Sequence, residues 1–230
     1  MNALINIQVE DFSQKVRGYN MLFNYRLMNL CVKAEPAALI PVTVEFGNSE
    51  YNLEDVAEIR RPDEYHLEVR SKNENTLKDI IAAIMDVHPE FILDMKTEKD
   101  IVDNDIPYAY YSMPDVDKDR YNLLNNLTRG FHHECAAHID AAYAKQQARF
   151  VETFLHAPVE ESDETKKELK SIYDGGKEEA ANIRDAKLKE IEEAYQRYLE
   201  KNPSADNDEE VVVDGDDENY NFDVVGSMRW

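Results

Sequence analysis

The chain has 230 residues, with 48 Asp and Glu against 26 Lys and Arg, which gives a formal net charge of −22. This excess of negative charge argues against binding to nucleic acid through a general basic surface, because such binding depends on neutralising phosphates. The longest apolar run, Asn75 to Val87, is interrupted by charged residues, so no segment approaches the about 18 apolar residues of a membrane helix.

Cysteine content and the N-terminus predict the compartment. The chain has only two cysteines, Cys31 and Cys135, too few for a disulfide framework. Met1 to Glu10 lacks the basic region of a secretory signal. We therefore expect a cytoplasmic protein without disulfides.

The N-terminal third of the chain predicts a helix followed by strands. Apolar residues recur every three or four positions from Phe12 to Leu30, which predicts one helix that ends before Pro36. From Pro36 to Pro107 the period changes to two, which predicts strands. Short extended runs lie at 42–46, before a Gly47-Asn48 turn, and at 56–59, 66–69 and 91–95. One helix interrupts them, with an apolar stripe from Leu77 to Met85 and a stop at Pro89.

Two long helices follow. An apolar series predicts the first from Pro114 to about Leu155, and Pro158 separates it from the second, which extends to about residue 201. Gly175-Gly176 lies inside the second helix and should cost about 2 kcal/mol relative to alanines. This pair predicts a kink or a short break.

Helix length decides the architecture. Helices of about 40 residues extend about 60 Å, too long for a compact globule of this size, and each has only a stripe of apolar residues to bury. The predicted fold class is α+β, a long three-helix bundle with an inserted small β/α domain. The predicted domains are the bundle (1–35 and 108–201), the insert (36–107) and an acidic C-terminal tail (202–230).

The tail has two readings. Its polar first part has too few apolar residues to order by itself, but it ends in a group of apolar and aromatic residues. An acidic spacer with such an end is typical of a peptide that docks on a partner, and it is equally typical of a solvated terminus. The predicted protein-binding residues are Tyr220, Phe222, Val225 and Trp230.

Several segments resemble the ribosome recycling factor family. Lys33 to Leu39 resembles the family's Arg-Ala-Ser-Pro-Ser-Leu-Leu junction, and Val44 to Gly47 resembles its Val-Glu-Tyr-Tyr-Gly strand and turn, one residue shorter. Pro114 with Asp117, Asp119 and Arg120 resembles the family's helix start. The resemblance covers about Phe12 to Glu200 and excludes the tail.

The resemblance implies a function without covalent chemistry. Recycling factors resemble tRNA in outline, dock their bundle on large-subunit RNA, and work with elongation factor G to split the post-termination ribosome. No cofactor or metal is implied, and no membrane partner.

The resemblance also identifies docking positions. The family docks through arginines on the long second helix, and several of those positions are no longer basic here: Tyr121, Asp140, Tyr143 and Ala144. The basic residues that remain as candidate RNA contacts are Lys33, Arg120 and Arg129. Three lost hydrogen bonds to charged groups would remove about 5 to 9 kcal/mol, or about a thousand-fold to a million-fold in affinity. We therefore expect ordinary ribosomal RNA docking to be lost.

Two other constellations invite a functional reading. The group His132, His133, Glu134, Cys135 and His138 contains metal-ligand types, but the spacing of five between His133 and His138 places them on different faces of a helix. We expect no metal there. The tyrosines at 108, 110 and 111 could stack on bases or pack an interface, and the absence of basic residues between Asp100 and Asp117 favours packing.

Two functions follow. The first is a non-enzymatic structural and protein-binding component of a larger assembly, such as a viral particle, with its partners held through the tail. The alternative is a divergent recycling factor that still engages the large ribosomal subunit and elongation factor G and helps to split post-termination ribosomes. We expect no enzyme, because no phosphate-binding glycine loop, nucleophile elbow or catalytic carboxylate pair can be placed in the sequence.

Overall fold

A computed structural model describes residues 3–47, 49–73, 75–99, 103–153 and 159–203. The predicted protein-binding residues of the tail, Tyr220, Phe222, Val225 and Trp230, lie outside this part of the chain. The helices are α1 (Ala3–Met28), a single turn α2 (Leu53–Val56), α3 (Leu77–Val87), α4 (Lys118–Thr153) and α5 (Val159–Lys201). The strands are β1 (Thr43–Phe46), β2 (Ser49–Asn52), β3 (Ala57–Asp63), β4 (His66–Ser71), β5 (Ile92–Lys99) and β6 (Asp105–Ser112).

The three long helices α1, α4 and α5 pack on one another. Each contacts the other two, and the apolar series predicted from the sequence forms the shared core. Phe12, Val16 and Phe23 of α1 are buried, as are Phe131 and Ile139 of α4. With 36 and 43 residues, α4 and α5 extend about 54 Å and about 64 Å at the usual helical rise. The predicted three-helix bundle is confirmed.

The segment between α1 and α4 forms the β/α insert. β1 and β2 form a hairpin whose turn contains Gly47 at φ +64°, a left-handed conformation that glycine adopts without strain. The other strands form an antiparallel sheet in the order β3-β4-β6-β5. α3 contacts β1, β4 and β6. The predicted insert therefore has the expected α+β character, although the strand predicted at 56–59 begins at Ala57, after the turn of α2.

Two separate hydrophobic cores correspond to the two parts of the chain. The bundle core includes Leu30 and Val116, whereas the core of the insert includes Cys31 and Met113. The chain therefore passes from one core to the other within a few residues at each crossing. The exact domain boundaries remain a prediction. The boundary predicted between residues 107 and 108 falls inside β6.

The predicted break at Gly175-Gly176 is wrong, because α5 continues through both residues. Gly175 is exposed and a Cβ there would meet nothing, but a Cβ on Gly176 would overlap Cγ1 of Val16 on α1. Gly176 is therefore the point where α5 approaches α1 closely. The conformational cost of this glycine is offset by helix packing and not relieved by a break in the helix.

The surface of the described helices gives no sign of a membrane span. None of them contains a stretch that is both long enough and apolar enough to cross a bilayer.

Candidate functional site

The predicted RNA contacts do not form one surface. Arg120 lies at the start of α4, and its guanidinium donates to the backbone oxygens of Leu30 and Cys31, each at 3.3 Å. This arginine therefore holds the end of α1 against the start of α4. Because one guanidinium nitrogen bonds within the chain and Nε is buried, it is poorly placed to reach a phosphate.

Lys33 is also engaged within the chain. Its Nζ lies 2.9 Å from Oε2 of Glu64, and this pairing lowers the pKa of the Glu64 carboxyl. The neighbouring backbone reinforces the contact, since the amide of Ala34 donates to the carbonyl oxygen of Glu64 at 2.8 Å. Lys33 thus fixes the first crossing between the bundle and the insert.

Arg129 differs from the other two. It is exposed in the first third of α4, and within the described part of the chain it makes no ion pair or hydrogen bond. Exposed polar neighbours at helical spacing share its face of α4, including Asn122, Asn126 and His133. Of the three predicted contacts, only Arg129 presents a free cation to solvent.

Two of the predicted lost positions have become contacts between helices. The Tyr121 hydroxyl donates to Oε2 of Glu192 at 2.6 Å, and its ring stacks on Tyr195 with centroids 4.6 Å apart. Tyr143 stacks on Tyr173 at 4.4 Å and packs against Phe12 of α1. These tyrosines therefore join α4 to its neighbours.

Asp140 and Ala144 remain on the surface of α4. Asp140 accepts a hydrogen bond from the Tyr173 hydroxyl at 2.8 Å and pairs with Nζ of Lys177 at 3.0 Å. Burial is the largest single influence and opposes its charge, but the contacts with Lys177 and Tyr173 together outweigh burial and lower the pKa of the Asp140 carboxyl. Its negative charge is thus balanced by α5. Ala144 is exposed and leaves an uncharged gap on this face.

The negative charge is distributed unevenly between the two parts of the chain. The three long helices together carry 17 Lys and Arg against 19 Asp and Glu. Residues 29–117 carry 8 against 20, and residues 202–230 carry 1 against 9. α4 alone has 5 basic and 4 acidic residues. The net charge of −22 therefore resides mainly in the insert and the tail, and the bundle is close to neutral.

The histidine-rich segment of α4 packs against α1. His138 stacks on Tyr19 with centroids 5.3 Å apart, and His132 lies against Phe23. Glu134 forms an ion pair with Arg26. The residues of this segment that could ligate a metal are thus directed to different partners. The described part of the chain brings together a different group of ligand types, Cys31, His88 and Glu90.

The tyrosines near the end of the insert lie on both faces of the sheet. Tyr111 is fully buried, so it cannot stack on a base. Tyr108 and Tyr110 lie on the opposite face, where Arg70 covers the first ring at 4.5 Å and Lys96 covers the second at 3.1 Å. These basic residues come from neighbouring strands, which is why the local sequence around the tyrosines shows none.

Comparison with known proteins shows the fold. No protein-family model matches the sequence, and no curated protein matches it. A solution structure of the ribosome recycling factor is similar, with a TM-score of 0.63, 15% identity, and coverage of 84% of this chain and 100% of that one. A second similar chain, with a TM-score of 0.54 and 21% identity, covers 81% of this chain and 98% of its own length. It comes from models of the T. thermophilus ribosome recycling factor and the E. coli elongation factor G bound to the E. coli post-termination complex. The chain therefore has the fold of ribosome recycling factor, with a β/α insert between the first two of its three long helices.

Proposed function

We propose that this protein is a divergent, non-enzymatic recycling factor that binds the large ribosomal subunit after termination. The observation that supports this most is coverage: the similarity in fold extends over the entire length of a ribosome recycling factor, both bundle and insert. A protein that keeps both parts and their connection keeps the outline that the factor presents to a ribosome.

The distribution of charge removes one objection to ribosome binding, the one that rests on net charge. A net charge of −22 spread over the whole surface would repel RNA. The bundle is close to neutral instead, and Asp140, an acidic residue of α4, is paired with Lys177. Under this proposal, RNA contacts the bundle through the exposed side of α4 that carries Asn122, Asn126, Arg129 and His133, which we call the α4 face.

The acidic insert then serves a different contact. Its 20 acidic residues against 8 basic ones disfavour RNA and favour a basic protein surface. The post-termination complex named above is one to which models of both a recycling factor and elongation factor G are bound. We propose that the insert binds protein, either this elongation factor or a ribosomal protein, while the bundle binds RNA.

The test is co-sedimentation of the full chain with purified large subunits at about 0.15 M monovalent salt. We expect the chain to pellet with the subunits. We expect Arg129→Gln to weaken binding about 10-fold or more, because a hydrogen bond to a charged group is worth about 1.5–3 kcal/mol. The slope of log affinity against log salt should also fall by about 1, the value for one phosphate contact.

The matched control is Lys189→Gln, which removes one positive charge from α5, where the lysine side chain is 78% exposed. This variant should bind like the parent chain. If both variants weakened binding equally, the loss of one positive charge would explain the weaker binding, and a specific RNA contact through α4 would be contradicted. Failure of the parent chain to pellet would contradict the proposed function itself.

The second candidate function is that of a structural component in a larger protein assembly, including a viral particle. The strongly acidic insert favours it, because such a surface suits protein partners. The discriminating measurement is the mass of the native complex isolated from its source, with identification of its components. Copurification with a protein complex free of ribosomal subunits would support assembly, and copurification with large subunits would contradict it.

A further inference from the structure

Three side chains with metal-ligating atoms meet where α1 passes into the insert. Cys31 follows the end of α1, His88 follows the end of α3, and Glu90 lies in the turn before β5. Their ligand atoms all lie within 4.8 Å of one another. Cys31 is 1% exposed and His88 is 4% exposed, while the side chain of Glu90 is 32% exposed and borders solvent.

The distances between these atoms are close to those of a zinc site. Nδ1 of His88 lies 3.0 Å from Oε1 of Glu90 and 3.9 Å from Sγ of Cys31. Two ligand atoms on a tetrahedral zinc ion are about 3.3–3.6 Å apart, given the usual zinc–ligand bond lengths. Small movements of the side chains would bring these atoms to zinc-binding distances, and Glu90, which borders solvent, has room to move.

The orientation of the His88 ring is fixed for ligation through Nδ1. Its Nε2 lies 2.9 Å from the backbone oxygen of Ala38, and because a carbonyl only accepts, this nitrogen carries the hydrogen. A metal-ligating histidine commonly donates its second N–H to a carbonyl in this way. Phe91 stacks on the ring at 4.6 Å and 6°, which holds its plane.

The backbone at Cys31 has the conformation of a helix end. Its φ of +49° lies in the left-handed region, where glycine or asparagine is the usual residue. Helices commonly end with a residue in this conformation, and the Cys31 amide donates to the carbonyl oxygen of Met28 at 3.2 Å. Its carbonyl is also held by Arg120, so the position of the sulfur is supported from the bundle.

We propose that Cys31, His88 and Glu90 bind one zinc ion at this crossing, with a water molecule as the fourth ligand. Mixed sulfur, nitrogen and oxygen donors suit zinc better than magnesium or calcium, which prefer oxygen alone. The exposed side of Glu90 gives the water access.

A bound ion would tie the end of α1 to the insert. Cys31 belongs to the insert core but follows directly on Leu30 of the bundle core, and His88 and Glu90 lie further along the insert. Zinc would thus restrict rotation of the insert at the end of the bundle. This proposal is independent of ribosome binding, since none of the three residues belongs to the α4 face.

The test uses the full chain, stripped of metal with a chelator and titrated with zinc alone against a chromophoric competitor. We expect one zinc per chain. Cys31→Ser and His88→Asn should each lower the zinc affinity more than about 100-fold. This exceeds the loss of about 10- to 100-fold expected when only a hydrogen-bond partner of a metal ligand is removed. Cobalt in place of zinc should give a thiolate-to-metal charge-transfer absorption, which Cys31→Ser abolishes.

The matched control is Cys135→Ser, which alters the other buried cysteine, in the bundle core. It should leave the stoichiometry and the cobalt absorption unchanged. Glu90→Gln alters a half-exposed side chain outside both cores, so it should fold and weaken binding about 10-fold or more. Absence of stoichiometric binding, unchanged affinity in Glu90→Gln, or a cobalt band that survives Cys31→Ser would overturn the proposal.

Discussion

Asn20→Asp should destabilise the folded protein by about 3–5 kcal/mol at pH 7, the usual cost of an uncompensated buried charge. Asn20 is 1% exposed in the bundle core. Its Nδ2 donates to the carbonyl oxygen of Gly176 at 3.1 Å and to Oε2 of Glu179 at 2.7 Å, and its Oδ1 accepts from Sγ of Cys135 at 3.5 Å. A carboxylate at this position has no donor for the two acceptors and lies beside a second carboxylate.

The loss should depend on pH in a defined direction. Burial and Glu179 would raise the folded-state pKa of the new carboxyl above its unfolded value of about 3.9. The folded state then holds the proton more tightly, so the deficit is small below the unfolded pKa and grows as the pH rises through the folded pKa. Urea unfolding at pH 7 and pH 5 measures this change.

Asn20→Ala is the appropriate control, because it removes the same hydrogen bonds without adding charge. We expect it to cost about 1–3 kcal/mol, with little difference between the two pH values. If both variants lost the same stability at both pH values, charge would not be the cause, and the assigned environment of Asn20 would be wrong.

Two adjacent alanine substitutions in α5 should have opposite effects. Gly175→Ala should stabilise by about 0.8–1 kcal/mol, because alanine has the better helix propensity and its Cβ meets nothing. Gly176→Ala gains the same propensity but forces its Cβ onto Val16 Cγ1. Overpacking of this kind costs about 1–3 kcal/mol, so the second variant should be less stable than the first by that amount.

Thermal unfolding distinguishes the two glycines directly. Gly175→Ala should raise the Tm by about 2–4 °C, the expected shift per kcal/mol for a chain of this size. The double variant Gly176→Ala with Val16→Ala should recover part of the loss, since it removes the overlapping methyl group. Equal Tm values for the two single glycine variants would show that α5 does not approach α1 closely at Gly176.

The bundle was predictable because its signal is periodic. Phe12, Val16 and Phe23 repeat at helical spacing and are buried as that spacing implies. The unbroken helix at the glycine pair was not predictable, because a sequence gives the conformational cost of a glycine but not the space beside it. Gly175 and Gly176 are adjacent and chemically identical, so the sequence cannot distinguish them. Only the packing of Gly176 against Val16 does so.

The sheet shows a second limit. β6 contains Pro107, which argues locally against an interior strand. β4 pairs with β6 only from Ala109 to Ser112, so the proline lies where β6 has β5 as its single neighbour. The missing N–H therefore costs no hydrogen bond to β4. That arrangement depends on strand order, which alternation along the chain does not contain.

The candidate sites also contain parts that the sequence could predict and parts that it could not. Resemblance placed Arg120, Tyr121 and Arg129 near the start of α4, but it could not show that Arg120 binds backbone oxygens of the first crossing or that Tyr121 joins α5. Cys31 and His88 are 57 positions apart, so no local motif joins them. The left-handed backbone at Cys31 is likewise invisible in the sequence.

The contrast between a nearly neutral bundle and an acidic insert makes the molecule an electric dipole. Near a polyanion such a molecule experiences a torque that turns its bundle inward and its insert outward before any contact forms. This preorientation acts over about a Debye length, near 10 Å at 0.1 M salt. Added salt should therefore randomise the angle of approach, and lower the fraction of collisions that are productive, even when the affinity of the final complex is unchanged.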